Sequence, residues 1–141
     1  MTESVFQFTV KSSSPELTFK FVFDGQEIFH GAVGSQTFSH QFLDNDQEHT
    51  VEFYLEGKTV EHTVVNDNGE IINDHVIEIH DMTLEGVALD QIFYSKNQYY
   101  HSFNDTSKDL IEDKFYGIMG CNGRVEFKFT SPVYLWFLDN I

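Results

Sequence analysis

Three segments of the sequence share one pattern: apolar and polar residues alternate, an acidic residue and a glycine follow, and a second apolar segment begins. The segments are Phe21–Ile28, Tyr54–Val60 and Met82–Leu89. Alternation with a period of two is typical of a β-strand with one buried face. Glycine adopts positive φ without a steric clash, so Asp-Gly or Glu-Gly between two strands favours a tight reversal. The pattern predicts three β-hairpins in an antiparallel sheet.

Alternating segments continue along most of the chain, and the clearest is residues 17–23. Further strands are predicted at residues 5–10, 27–33, 37–43, 49–56, 59–65, 76–84, 87–94 and 124–130. The apolar run Val133–Leu138 is interpreted as a strand buried on both faces. A change of parity at Asp81–Leu84 indicates a bulge. Residues 95–114 lack a regular period and predict a long loop, with a helical turn near residues 109–112.

These elements define the expected fold. About ten short strands with little helical periodicity predict an all-β fold, an antiparallel β-sandwich with a jelly-roll-like topology. The 141 residues suit a single domain, which is placed over residues 1–141. Fifteen Phe, six Tyr and one Trp make the predicted core aromatic.

The charge of the chain restricts its partners. The sequence has 23 Asp and Glu against eight Lys and Arg, and its formal charge is −15. This charge opposes contact with phosphate groups, so nucleic acid and membrane surfaces of anionic lipid are not expected partners. Neither a signal peptide nor a spanning apolar segment is found, and synthesis in the cytoplasm is expected. Cys121 stands alone, which excludes an internal disulfide and a thiolate cluster within one chain.

Aromatic residues in the polar stretch after residue 93 are candidates for sugar binding, because pyranose C–H faces pack against flat, electron-rich rings. We predict glycan contacts for Tyr99, Tyr100 and His101. The competing interpretation assigns such aromatic residues to the core or to a protein interface, and apolar neighbours place Trp136 in the core. The full candidate set is Tyr94, Tyr99, Tyr100, His101, Phe103 and Trp136.

One acidic loop is a candidate metal site. Asp44, Asp46 and Glu48 offer hard oxygen ligands at alternate positions, which is the chemistry that Ca²⁺ prefers. Calcium is therefore retained as a candidate cofactor. The loop lacks the glycine and the distal glutamate of an EF-hand, and a solvated hairpin loop is the competing interpretation.

Catalytic motifs are missing from the sequence. It contains no Gly-x-Ser-x-Gly, no His-Glu-x-x-His and no glycine-rich phosphate loop. We therefore expect a protein that is not an enzyme. A hydrolase on the same frame would need paired carboxylates on one open face, such as Glu52 with Glu78 or Glu126.

Four segments resemble small proteins encoded by large tailed phages of marine bacteria. They read HTVEFYLEGKT from residue 49, NGEIIND from residue 68, VIEIHD from residue 76 and GRVEFKFTSPVYLW from residue 123. The resemblance covers roughly residues 17–141. It implies a virion structural component with a fold similar to carbohydrate-binding modules.

Two functional hypotheses follow. The leading one is a non-enzymatic virion structural or accessory module, on the capsid or in the tail, that is oligomeric in the particle and contacts other virion proteins. The alternative is an attachment module that binds a cell-surface glycan, with calcium as a candidate aid. In that case Tyr99, Tyr100 and the loop from Asp44 to Glu48 would form the site.

Overall fold

The computed structural model describes residues 2–58, 63–89, 92–93, 96–101, 111–120 and 122–140. These ranges contain thirteen strands and a C-terminal helix, α1, at Val133–Asn140. The strands β1 to β13 are, in chain order, Thr2–Ser12, Thr18–Phe23, Gln26–Gly31, Ser35–Asp44, Glu48–Glu56, Thr63–Val65, Ile71–Asp74, Ile77–Leu84, Val87–Ala88, Gln98–His101, Ile111–Asp113, Ile118–Met119 and Gly123–Thr130.

Two antiparallel sheets pack face to face. The smaller sheet has the order β12-β8-β1-β4, with β9 also paired to β8, and the larger sheet has the order β11-β10-β13-β5-β2-β3. Strands β6 and β7 form a separate two-stranded ribbon. The predicted all-β, jelly-roll-like β-sandwich is therefore confirmed.

Two of the three predicted hairpins are present. Strands β2 and β3 pair across Asp24 and Gly25, and β8 and β9 pair across Glu85 and Gly86. Both residues of each turn have positive φ, 50° and 79° in the first turn and 51° and 77° in the second. Two consecutive positive φ angles match the right-handed twist of the flanking strands. The acidic residue and the glycine therefore close both reversals as the sequence predicts.

The hairpin predicted at residues 54–60 is wrong. Strand β5 ends at Glu56, and its two edges pair with β2 and β13. No edge of β5 is left for a returning strand. Strand β6 pairs with β7 instead, while residues 59–62 lie outside the described ranges.

The bulge predicted near Asp81 is present between β1 and β8. Thr9 pairs with His80 and Gln7 pairs with Thr83, so one residue of β1 faces two residues of β8. Asp81 has a φ of 56°, and the extra residue reverses the parity of the apolar positions that follow.

Phenylalanine rings join the two sheets. Phe8 of the smaller sheet lies 4.8 Å from Phe21 and 4.8 Å from Phe53 of the larger sheet, measured between ring centroids, and both pairs meet edge to face. Phe6 and Phe38 extend the cluster on the smaller sheet. All of these side chains are buried. The aromatic core expected from composition is therefore the contact that joins the layers.

The C-terminal run is a helix, so the strand predicted at Val133–Leu138 is wrong. Val133 and Trp136 are buried and Phe137 packs against the core, and this i, i+3, i+4 spacing is helical. The Trp136 ring lies 5.8 Å from Phe127 and 6.0 Å from Phe129, which confirms its predicted place in the core. Among the described residues, no helix is long and apolar enough to span a bilayer.

The long loop predicted at residues 95–114 is partly wrong. Strands β10 and β11 occupy Gln98–His101 and Ile111–Asp113 and pair with each other. Their short alternation does not stand out among the polar residues of this stretch. Tyr94, Phe103 and Cys121 lie outside the described residues.

We predict that Phe8→Ala lowers the free energy of unfolding by about 3–5 kcal/mol, because it leaves a cavity between the sheets. Gln7→Ala, at an exposed position of the same strand, should change it by less than about 0.5 kcal/mol. Equilibrium denaturation of both variants measures the difference. Equal effects would show that the Phe8 contacts do not join the layers.

Candidate functional site

The outer face of the larger sheet is polar, while the other face of the same strands builds the core. In β5, Val51, Phe53 and Leu55 are buried, whereas the residues between them are half-exposed. Strand β13 alternates in the same way. Strict alternation on adjacent strands therefore places the remaining side chains of β5 and β13 together on one surface.

Four outward side chains, one each from β2, β5, β13 and β10, form a row across the larger sheet. Lys20 pairs with Tyr54, Tyr54 with Arg124, and Arg124 with Tyr100 in the registers of β2, β5, β13 and β10. The Lys20 ammonium lies 4.2 Å from the centre of the Tyr54 ring, and the Arg124 guanidinium lies 4.8 Å from the centre of the Tyr100 ring. Cation–π contacts of this length orient both rings.

A second row of acidic and amide side chains supports the first. The Tyr54 hydroxyl donates to Glu52 Oε2 at 2.8 Å, and the Tyr100 hydroxyl donates to Gln98. Arg124 lies 3.9 Å from Glu52 and 3.8 Å from Glu126. Tyr54, Arg124 and Tyr100 are therefore each held by a neighbour in the second row.

Arg124 keeps hydrogen-bonding capacity for a ligand. Its Nε atom is buried and has no hydrogen-bond partner among the described residues. The distance to Glu52 suits an ion pair but exceeds a hydrogen bond. Because Nε is buried while the whole side chain is 41% exposed, a ligand would contact the exposed part of Arg124 and not this nitrogen.

A cavity of about 380 Å³ opens beside the row. Its lining residues are Tyr54, Leu55, Glu56, Gly57, Tyr100, Asn122, Gly123 and Arg124. Asn122 fixes one wall, since its side chain accepts from Lys58 N at 2.9 Å and donates to Lys58 O at 2.6 Å. A Cβ atom on Gly123 would overlap the carbonyl oxygen of Tyr100. Glycine at this position therefore allows β10 to approach β13 closely enough to complete the row.

The chemistry of the site suits a neutral ligand that carries hydroxyl groups. Two tyrosine rings offer flat apolar surface, and a guanidinium and carboxylates offer donors and acceptors close by. Glu52 and Glu126 flank Arg124 and would repel an anionic ligand.

The structure separates the three predicted glycan residues. Tyr100 faces outward in the row, but Tyr99 and His101 are buried, each with 6% exposure, on the opposite side of β10. Their rings lie 4.6 Å apart within the core side. Tyr54 and Arg124 were not predicted, although the alternation of β5 and β13 placed both on polar faces. Their meeting with Tyr100 depends on strand order, which the sequence does not state.

The predicted metal ligands have other contacts. Asp44 Oδ1 accepts from Val133 N at 3.1 Å, and its Oδ2 accepts from Ser4 Oγ at 3.3 Å. Asp44 therefore holds the first turn of α1, where a negative charge is favoured. The loop through Asp46 to Glu48 crosses from the smaller to the larger sheet and is not a hairpin. In the described part of the chain, no three His, Cys, Asp or Glu side chains are grouped to hold a metal, and calcium binding by this loop stays a prediction.

Three residues that lie far apart in the sequence form a hydrogen-bonded chain. His49 Nδ1 lies 2.7 Å from Asp24 Oδ2, and His49 Nε2 lies 3.3 Å from Ser131 Oγ. His49 and Ser131 are buried. The order of groups is that of a Ser-His-Asp triad, although no sequence motif indicated one.

The surroundings of Ser131 show a structural role. Its Oγ accepts from the amides of Asn45 and Gln47, at 3.1 Å each, and lies 3.2 Å from Gln47 O. A hydroxyl so enclosed has no approach for an acyl carbon and no unused lone pair for attack. We call Asp24, Asn45, Gln47, His49 and Ser131 the Ser131 clamp, because they fasten the β4–β5 connection to the start of α1.

Comparisons with known proteins identify the fold. No family model and no curated protein matches the chain. One similar solved structure is vCBM60 in complex with galactobiose, at 6% identity and a TM-score of 0.49, over 87% of this chain and 96% of that one. Another is the selenomethionine form of vCBM60, at 8% identity and a TM-score of 0.51, over 89% and 90%. The description of this second structure states that circular permutation provides an evolutionary link between two families of calcium-dependent carbohydrate-binding modules. The chain therefore has the β-sandwich fold of a carbohydrate-binding module.

We predict that Ser131→Ala lowers the free energy of unfolding by about 1–3 kcal/mol, because the amides of Asn45 and Gln47 lose their acceptor. Ser35→Ala, at an exposed serine, is the matched control. Chemical denaturation measures both variants. Labelling of Ser131 by a fluorophosphonate would contradict the clamp and indicate an activated nucleophile.

The pKa of Tyr54 gives a prediction at high pH. Burial first, and then the hydrogen bond to Glu52, raises the pKa of Tyr54 from 10.0 to about 12. Between these pH values the folded chain retains a proton that the unfolded chain has lost, so stability falls as pH rises. Tyr54→Phe should show a shallower loss of stability over this window. Spectrophotometric titration should also show a lower pKa in Glu52→Gln, and an unchanged value would contradict the assigned hydrogen bond.

Proposed function

We propose that this protein is a non-catalytic carbohydrate-binding module that recognises a neutral glycan on the outer face of its larger sheet. The observation that carries the proposal is the row of Tyr54, Arg124 and Tyr100 beside the 380 Å³ cavity. Two oriented aromatic rings with a guanidinium between them in the strand register offer apolar surface and hydroxyl-binding groups on one face of the sheet.

The charge distribution favours a neutral saccharide over other ligands. The chain carries −15, and Arg124, its only arginine, lies near two carboxylates. The carboxylates and the net negative charge would repel phosphate or carboxylate groups of a ligand. Sugar hydroxyls, in contrast, can donate to Glu52 and accept from Arg124. This balance supports the attachment hypothesis over binding to nucleic acid.

The fold supports the same class. The structures that share this sandwich are carbohydrate-binding modules, although a shared fold does not by itself define a ligand. The proposed site therefore rests on side chains of this chain. Calcium stays a candidate cofactor, because the similar structure at a TM-score of 0.51 is described together with calcium-dependent modules, although no three His, Cys, Asp or Glu side chains are grouped in the described residues.

The virion module inferred from the phage resemblance stays a prediction, together with its partners and its location on the capsid or in the tail. The comparisons lend it no support. A glycan-binding module is compatible with a role in particle attachment, so the two hypotheses differ in what the surface contacts and not in the fold.

The proposal is tested on a glycan array with the purified full chain, with calcium and with a chelator. We expect neutral glycans to bind, and Tyr100→Ala and Tyr54→Ala each to weaken affinity by about tenfold or more, which corresponds to the loss of about 1.4 kcal/mol. Comparison of the arrays with calcium and with chelator measures whether calcium takes part in binding.

Tyr134→Ala is the matched control, because Tyr134 is an exposed tyrosine on α1 and lies outside the row. Its affinity should equal that of the unmodified chain. Absence of binding to all glycans, or binding that survives both substitutions in the row, would overturn the proposal. Loss of binding on chelation would show that calcium contributes to the site.

A further inference from the structure

Strand β4 is an unusually long and regular edge of the smaller sheet. It has ten residues and pairs with β1 from Thr2↔Asp44 to Lys11↔Ser35 without a register shift. No strand in the described ranges pairs with its other side. A regular edge of this length presents a row of unpaired amides and carbonyls to an approaching strand.

The other described edges carry the features that prevent such pairing. Strand β3 has six residues, includes Glu27, and has a register shift against β2. Strand β11 has three residues and ends in Glu112-Asp113, while β12 and β9 have two residues each. Short length, charge and bulges are the usual means of protecting an edge. Strand β4 has ten residues, no register shift and no charged residue before Asp44 at its end.

Asp44, at the C-terminal end of β4, is the single charged residue of this strand in a strongly acidic chain. No Asp, Glu, Lys or Arg occurs from Ser35 to Leu43, although the chain carries −15. His40 is the single titratable group in this segment, and burial lowers its pKa while the nearby Asp24 opposes the shift. The imidazole is therefore neutral at neutral pH. Two copies of this acidic chain can therefore pair along this edge without placing carboxylates opposite each other.

We propose that two copies of this chain associate through antiparallel pairing of β4 with β4 about a two-fold axis. An axis at Ser39 would place Thr37 opposite Gln41 and Asp44 opposite Gly34 of the second copy. Ser39 would then lie opposite Ser39 of the second copy and Phe38 opposite His40, and no carboxylate would face another. The two smaller sheets would join into one continuous sheet.

A second copy fits this edge better than an unrelated partner. A basic protein would be attracted to carboxylates, and β4 offers none between Ser35 and Leu43. The edge also belongs to the smaller sheet, so pairing would leave the outer face of the larger sheet accessible. The inference is therefore independent of the proposed glycan site.

The experiment is sedimentation velocity on the full chain across concentration and salt. We expect a monomer–dimer equilibrium that strengthens with salt, because salt screens the repulsion between two chains of −15. Hydrogen exchange should show amide protection in β4 that increases with protein concentration. A monomer under all conditions, or a dimer that salt weakens, would overturn the proposal.

Ser39→Lys tests the interface directly. The added lysine changes the net charge of the chain from −15 to −14, which weakens the overall repulsion between two copies. Across the β4 edge, however, the two lysines would lie opposite each other and repel. We expect the association constant to fall by about tenfold or more. Gln7→Lys is the matched control, since Gln7 pairs with Ser39 but lies on β1, inside the sheet.

Gln41→Lys provides a second edge variant if Ser39→Lys does not fold, and circular dichroism checks the fold of each variant. Dimerisation that persists in both lysine variants would overturn the proposal. Equal weakening by Gln7→Lys and Ser39→Lys would do the same, because it would show a dependence on charge without a dependence on the edge.

Discussion

The register of β5 against β13 is the constraint on which the rest of the structure depends. Phe53 pairs with Val125 on the core side, and Tyr54 pairs with Arg124 on the outer side. A slip of one residue would exchange the two faces, exposing phenylalanine and burying glutamate. Core formation and assembly of the candidate site are therefore one event. The free energy that fixes the site comes from the aromatic contacts beneath it, and the polar network above needs only to orient side chains already in place.

Two distant connections complete this frame. Asp44 holds the amide end of α1, and the Ser131 clamp fastens the β4–β5 connection to the same point. The hydrogen bonds join residues more than 80 positions apart, so they form only after the sandwich has assembled. In return, α1 places Trp136 against Phe127 and Phe129. Polar and aromatic contacts thus close the same end of the core.

The sequence predicted features that depend on near neighbours and missed those that depend on distant ones. The pairs Asp24-Gly25 and Glu85-Gly86 adopt positive φ and favour a tight turn by themselves, and both predicted hairpins are present. Glu56-Gly57 is a similar pair at the end of β5, but β2 and β13 pair with both edges of β5, so the predicted returning strand cannot pair there. Tyr100 was identified from composition, whereas Tyr54 and Arg124 required knowledge of strand order. Likewise, the sequence did not indicate the hydrogen bond between Asp44 and the Val133 amide, because the two residues lie 89 positions apart.

The Ser131 clamp and the hydrogen bond between Asp44 and Val133 also determine how the molecule would carry mechanical load. A pulling force that enters through α1 reaches Val133 and Ser131 before it reaches Thr130 and the β13 ladder. Val133 is bonded to Asp44, which ends a strand of the smaller sheet, while β13 belongs to the larger sheet. The force is therefore divided between both layers, and neither sheet can be peeled away strand by strand until these bonds have broken.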